Sequence, residues 1–422
     1  LTLNHNFLSS KNMKIKNKFF WVIGGGLLQI PLIEEIKKLG YKIIVSDKNR
    51  NCVCSKRADV FFEIDIYDIP KHLEIAREFE KSKGKITGVL AAGIDAPETM
   101  AVLAKELGLP SVDPEIAHIV NNKDKFRNIL EKLNYPVPKF KVISKNNLKD
   151  LKKIIKEIGF PLIIKSSNSS GSRGSRIFHH PNLKEIRKTV KLAMNYSRSH
   201  LAMVEKCWEG SEHTVETIFD INGNFHPCFI TDRTFDKKNG YPLEVGLEHP
   251  SSLSKKHQQQ MYQLAKKVAM DLGIRIGAAK YDMMLTEDGP RILEMTCRLS
   301  GGFDSQYLVP AATGKNVLKA AILISLGKSF PKNLLIDKKH KVGVTASVWP
   351  NPGKISSIKG LNKAKKISGY ENIFFRYTKG DIVEPYVDST KRVCWIVATG
   401  RTINEAEKSL DKIKKTIQIK TV

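Results

Sequence analysis

At 422 residues and 41% hydrophobic composition, the chain has enough apolar material for roughly two or three domains with sizeable cores. Its formal net charge is +27, yet the lysines are spread over stretches such as 145–156 and 408–415, with no basic run interleaved with aromatics. A solvated lysine-rich surface is therefore expected, rather than a nucleic-acid or anionic-membrane interface. The six cysteines (Cys52, Cys54, Cys207, Cys228, Cys297 and Cys394) form no CxxC pair, which argues against a zinc site and a disulfide framework and suits a reducing cytoplasm.

Residues 1–17 read as a flexible tail, with Met13 as a candidate biological start. Lysines 11, 14, 16 and 18 precede the apolar run 19–33 and mimic a secretory signal. However, Gly24-Gly25-Gly26 interrupts the run, charged residues follow at 34–38, and the run is too short to span a membrane. It reads as strand, glycine turn and helix. The alternation continues with strands at 41–47, 58–65 and 86–93 and helices between them, a doubly wound parallel pattern over 18–115. Gln29 occupies the third glycine position of GxGxxG, so the dinucleotide signal is weak; the turn either serves tightness alone or holds a substrate.

A helix carrying Asn122-Lys123-Asp124-Lys125 comes next, ended by Pro136 and Pro138, then a lysine-rich helix and the strand Leu162–Lys165. The loop 166–175, SSNSSGSRGS, follows that strand directly. Gly/Ser chain after a strand lysine can fold backbone N–H groups around phosphates, although the spacing is not that of a P-loop. The segment 279–302 reads as two strands joined by a Glu287-Asp288-Gly289-Pro290 turn. Pairing them brings Asp282 and Glu294 together, with Arg298 four residues beyond and a Ser300-Gly301-Gly302 turn after it. Two oxygen ligands beside an arginine suit Mg²⁺ carrying a nucleotide phosphate. The last segment, 331–422, reads as a small α+β unit.

The order of these features resembles the ATP-grasp superfamily: a lysine near a helix start, a strand lysine before a Gly/Ser flap, Glu205-Lys206 as the hinge, then acid, glutamate and arginine. Within it the chain is similar to the biotin-carboxylase-like branch, which includes carboxylate–amine ligases such as L-amino-acid ligases. The C-terminal PxPGKI motif (Pro350–Ile355) and the pattern Gly380, Val383, Tyr386, Asp388, Gly400, Arg401, Thr402, Glu405, Ala406 carry that likeness. The resemblance implies a multidomain α/β and α+β architecture. Its parts are an N-terminal doubly wound domain over 18–115, an ATP-grasp domain over 116–330 with a flap subdomain at about 126–204, and a small C-terminal α+β domain over 331–422.

Residue by residue, the resemblance implies that Lys123, with Lys125 as competitor, and Lys165 contact ATP phosphates. Loop 166–175, with Ser172 and Gly174, closes over them. Glu205, Lys206 and Trp208 read the adenine and Glu212 lies near the ribose. Asp282 and Glu294 hold Mg²⁺ or Mn²⁺. Arg298, Ser300, Gly301 and His249 serve the substrate, and Arg298 and Lys165 stabilise the reaction's charge. Two positions depart from the pattern: Asp282 stands where glutamate is usual, and Thr296 where asparagine is usual. The implied activity is an ATP- and Mg-dependent ligation of a carboxylate to an amine through an acyl phosphate, in a cytoplasmic protein. Its partners are small molecules, with no nucleic acid or membrane, and homodimers are common among resembling proteins. Two alternatives stand: a carboxylase working through carboxyphosphate, and a nucleotide-binding regulatory protein without turnover. Gly302 occupies the position of biotin carboxylase's glutamate base, which argues against biotin-dependent chemistry.

Overall fold

A computed structural model describes residues 18–236 and 238–422. The expected tail, 1–17 with Met13, lies outside the described residues. The N-terminal region holds β1 (Lys18–Ile23), β2 (Lys42–Asp47), β3 (Val60–Glu63) and β4 (Lys85–Leu90) in a parallel sheet ordered β3-β2-β1-β4. Helices cover both faces of such a sheet, so β1 reads as an apolar run, and Phe19 to Ile23 are all buried. In the turn after β1, the Gly25 N–H donates to Asp47 Oδ2 at 2.8 Å and the Gly26 N–H to Gln29 Oε1 at 2.8 Å. Asp47 and Gln29 thus fasten the turn.

The flap sheet follows, with β5 (Phe140–Ile143), β6 (Leu162–Ser166), β7 (Arg176–Phe178) and β8 (Ala202–Lys206), antiparallel in the order β5-β8-β6-β7. Helix Leu151–Ile158 buries Leu151, Ile154, Ile155 and Ile158, the i, i+3, i+4, i+7 stripe of an amphipathic helix. It stops at Gly159, whose φ of +74° suits glycine. Each such side chain contributes about 1.5–3 kcal/mol on burial, which anchors β6 and β8 and hence Lys165 and Glu205.

The chain then forms β9 (Ser211–Phe219), β10 (Phe225–Asp236), β11 (Leu243–His249), β12 (Gly277–Thr286) and β13 (Gly289–Thr296). After these come β14 (Val342–Val348), β15 (Gly353–Lys359), β16 (Tyr370–Phe375), β17 (Ile382–Val383), β18 (Cys394–Gly400) and β19 (Gln418–Thr421). Eight of them make one sheet, β13-β12-β9-β10-β11-β14-β18-β16. Segment 331–422 therefore shares a continuous hydrogen-bonded sheet with residues 211–296, through pairs such as Leu247 with Thr345. The remainder, β17-β15-β19, forms a separate small sheet. Helix Lys255–Asp271 buries Met261, Ala265, Val268 and Ala269 in the cluster beneath β9 and β12. Because strand side chains alternate, the opposite face presents Glu212, Lys280, Asp282 and Glu294 to a cleft. Among the described residues no helix is long and apolar enough to cross a membrane.

Candidate active site

The cleft, about 1340 Å³, is lined by the first turn of the N-terminal sheet, the flap, the central sheet and the C-terminal segment. Its lysines are aimed by a helix break. The sequence suggests one continuous helix through 122, but Asn122 is extended (φ −114°, ψ 106°) and separates helices Pro114–Asn121 and Lys123–Lys132. Its side chain donates to His118 O and accepts from Asn168 Nδ2, which occupies it on both sides of the break. Lys123 therefore starts a new helix at the foot of the flap. Its N–H donates to Ser167 O and its Nζ to Ser169 O, both at 2.8 Å, and Nζ lies 3.6 Å from Glu294. Lys125 faces solvent beside His118 and does not line the cleft.

Lys165, at the end of β6, is 6% exposed and its Nζ lies 2.6 Å from Glu205 Oε2. Arg127, fully buried, donates from Nε to Glu205 Oε1 at 2.9 Å and from Nη2 to Leu293 O at 2.7 Å. Burial alone pushes the Glu205 carboxyl up, but the Arg127 and Lys165 charges outweigh it and hold it at about 2. The two Glu205 oxygens are thus each paired with a cation, while the residue still lines the cleft. Arg127, unremarked in the sequence, ties the helix of Lys123 to β8 and to the strand of Glu294. Its place one helical turn after Lys123 was the available signal. Lys206 and Trp208 line the cleft next to this bracket, although the Lys206 N–H donates to Lys139 O at 2.9 Å.

Asp282 and Glu294 are direct register partners across β12 and β13. Arg233 Nη1 and Lys280 Nζ both reach Asp282 Oδ1, at 2.7 and 2.5 Å. Burial raises the Asp282 carboxyl, and these two charges bring it down to about 2. Among the described residues Glu294 is opposed only at 3.6 Å by Lys123, and the buried Thr296 Oγ1 on the same strand has no partner. Two adjacent carboxylates and an unsatisfied hydroxyl fit a hard cation that takes its remaining oxygens from a nucleotide. Among the described residues no group of three or more His, Cys, Asp or Glu side chains converges on one point. Glu212, paired in register with Arg233, lines the same wall.

Beyond β13 the chain turns through Arg298 to Asp304. Arg298 Nη1 donates to Leu299 O at 2.9 Å, and its buried Nε has no partner among the described residues. Gly301 and Gly302 line the cleft. Ser300 does not, and its N–H donates to Glu216 Oε2 at 2.9 Å. This corrects the reading of Ser300 as a substrate amide: it anchors the turn to β9. Burial pushes the Glu216 carboxyl up to about 7, against the Ser300 hydrogen bonds and the Lys280 and Arg298 charges.

Two further expectations are corrected. Gly174 (φ +73°) is pressed against the helix Leu183–Tyr196, where an added Cβ would lie 2.8 Å from Ala193 Cα, and it does not line the cleft. His249 is 5% exposed, its Nδ1 bonded to Ile230 O at 2.9 Å, away from the cleft lining. Burial lowers its pKa to about 4, so it is a neutral core histidine. The flap is tied to the segment before β11 and to the C-terminal segment by two hydrogen bonds. Ser172 Oγ donates to Pro242 O at 2.9 Å, and the Ser389 N–H donates to Gly171 O at 3.0 Å.

A family model described as the carbamoyl-phosphate synthase L chain ATP binding domain matches residues 122–333, half of the chain. The chain belongs to the ATP-grasp superfamily. That ATP-grasp match spans the flap, the hinge and the acid pair in one stretch. A second model, L-amino acid ligase C-terminal domain 2, matches residues 347–422. Among solved ATP-grasp structures, the L-amino acid ligase of Bacillus licheniformis superposes with a TM-score of 0.79 at 20% identity, over 96% of this chain and 99% of that one. The biotin carboxylase domain of Hydrogenobacter thermophilus 2-oxoglutarate carboxylase, solved with MgADP and bicarbonate, gives 0.70 at 19%, over 96% and 91%. Human carnosine synthase 1 is 23% identical over 338 residues; the match covers 74% of this chain but only 40% of that protein.

Proposed function

We propose that the protein is an ATP- and Mg-dependent ligase that joins a carboxylate to an amine through an acyl phosphate. The observation that carries this reading is one cleft lined by Lys123, Lys165, the Asp282–Glu294 pair and Arg298, with the Arg298 Nε unsatisfied. Phosphoryl transfer depends on positioning and charge neutralisation, and these residues are arranged for both. Lys123 and Lys165 meet the phosphates. Bound to Asp282 and Glu294, Mg²⁺ or Mn²⁺ would neutralise phosphate charge. A carboxylate oxygen, held by Arg298, attacks the γ-phosphorus; the bond to the β-phosphate oxygen breaks and ADP leaves. The amine nitrogen then attacks the acyl carbon and loses a proton, and inorganic phosphate departs. Arg298 and the Gly301–Gly302 turn, which line the same cleft, would stabilise the developing oxyanion. Closure of the 166–175 loop over the phosphates would exclude water that hydrolyses the intermediate. The match of residues 347–422 to an L-amino acid ligase domain supports the amide-forming reading over the carboxylase.

The test is ADP release by purified protein with Mg-ATP, screened with pools of amino acids and small carboxylates and, separately, with bicarbonate. Stimulation by a carboxylate plus an amine, lost in Glu294→Ala, is the expected result. Stimulation by bicarbonate alone would replace the ligase with a carboxylase. ATP binding without turnover under any condition would point to a regulatory protein.

A further inference from the structure

One buried acid of the cleft has no hydrogen-bond partner among the described residues. Asp304 is 2% exposed, lines the cleft, and its Oδ1 accepts no hydrogen bond. Its aim is fixed by backbone. Phe303 before it adopts φ +70°, a left-handed conformation that a bulky side chain takes only when its surroundings impose it, and the Asp304 N–H donates to Gly301 O at 3.3 Å. The charges facing it, Lys280, Arg233, Glu244 and Glu216, come from four strands and are already engaged. Lys280 is held by Asp282 at 2.5 Å, and Arg233 by Asp282 at 2.7 Å and Glu244 at 2.8 Å, while Glu216 takes the Ser300 N–H. Burial, with Glu244 and Glu216 nearby, pushes the Asp304 carboxyl well up, against Lys280 and Arg233. A buried carboxyl without donors is costly, and a ligand that brings donors removes the cost.

We infer that Asp304 receives the amine of a bound substrate, accepting N–H bonds from a primary ammonium group whose attached carboxylate faces Arg298. The inference rests on the ligase reading for the place of the carboxylate. The two unsatisfied groups, Arg298 Nε and Asp304 Oδ1, lie six residues apart on one turn and together match a molecule bearing both charges. The rest of that molecule lies against the wall of Phe303, Phe374 and Trp395, where the first two rings stack at 4.2 Å between centroids. Asp304 is thus a specificity residue for the amine.

Binding of L-phenylalanine and L-alanine, and of their amine-free counterparts 3-phenylpropionate and propionate, is measured calorimetrically in the presence of Mg-ADP. The wild type should favour at least one amine-bearing probe over its counterpart by roughly 10- to 100-fold, and Asp304→Asn should erase that preference while leaving Mg-ADP affinity unchanged. Without ligand, Asp304→Asn should keep or raise Tm, since Oδ1 has no partner to lose; a purely structural role predicts a fall. Equal binding of both probe types, no binding of either amine, or a preference that survives Asp304→Asn each overturns the assignment. ADP release is scored separately. A preference that depends on Asp304 without ADP release would sink the ligase reading alone, and ADP release with an unaltered preference would sink the Asp304 assignment alone.

Discussion

The two ends of the cleft treat their polar groups in opposite ways. At the hinge end, Arg127, Lys165 and Glu205 satisfy one another in a buried cluster, and Asp282 is gripped by Arg233 and Lys280. At the end formed by the close of β13 and the turn after it, Thr296 Oγ1, Arg298 Nε and Asp304 Oδ1 are buried with no partner among the described residues. Groups that pair internally hold the strands and the helix of Lys123 in register, whereas groups left unpaired mark where ligand atoms are expected. Arg127 should therefore report on folding when mutated and the unpaired groups on turnover, while Lys165 and Asp282, which pair internally and also line the cleft, should report on both.

The contrast is broken most directly at Arg127. Arg127→Leu strands the Glu205 charge and is expected to cost about 3–5 kcal/mol of stability, read from denaturant melts. Loss of activity with no loss of stability would mean the bracket belongs to the catalytic set. Arg298→Ala should leave Tm within about 2 °C of wild type but lower kcat for ADP release by about 100- to 1000-fold. A matching drop in Tm would show that its unpaired Nε had been read wrongly.

Glu216 sharpens the comparison through pH. Its folded pKa of about 7 lies above the unfolded value, so between about pH 4.5 and 7 the folded state holds a proton the unfolded state has lost. Stability should fall as pH rises through that window, by on the order of 3 kcal/mol in all. Glu216→Gln should flatten this part of the profile, and a variant with wild-type pH dependence would remove Glu216 as the cause. Smaller effects are expected elsewhere. Lys123→Ala should raise the KM for ATP by about tenfold, while Lys125→Ala should change it by less than about twofold, since Lys125 points to solvent. His249→Gln should lower stability by about 1 kcal/mol while leaving kcat within about twofold; a large kcat loss would restore His249 to the substrate site.

Much of the site was legible in the sequence because it lies on short local patterns. Strand alternation and a four-residue turn predict the Asp282–Glu294 pairing, and the register confirms that pairing. Lys165 before a Gly/Ser loop could likewise be placed at a strand end. The interactions that were missed depended on partners far away in the chain. The clamping of Glu205 turns on Arg127, 78 residues earlier. The Ser300 N–H is claimed by Glu216, 84 residues before it, and His249 by Ile230 across β10 and β11.

The sequence by itself determined the element order, the glycine-bounded flap and the acid pair, because periodicity and turn chemistry act within a few residues. Only the tertiary structure decided which polar groups neutralise each other and which remain open. It also decided that the last ninety residues add three strands to the central sheet. The physical reason is that burial sets the cost of an unpaired charge, and burial is a property of the assembled fold rather than of any local stretch.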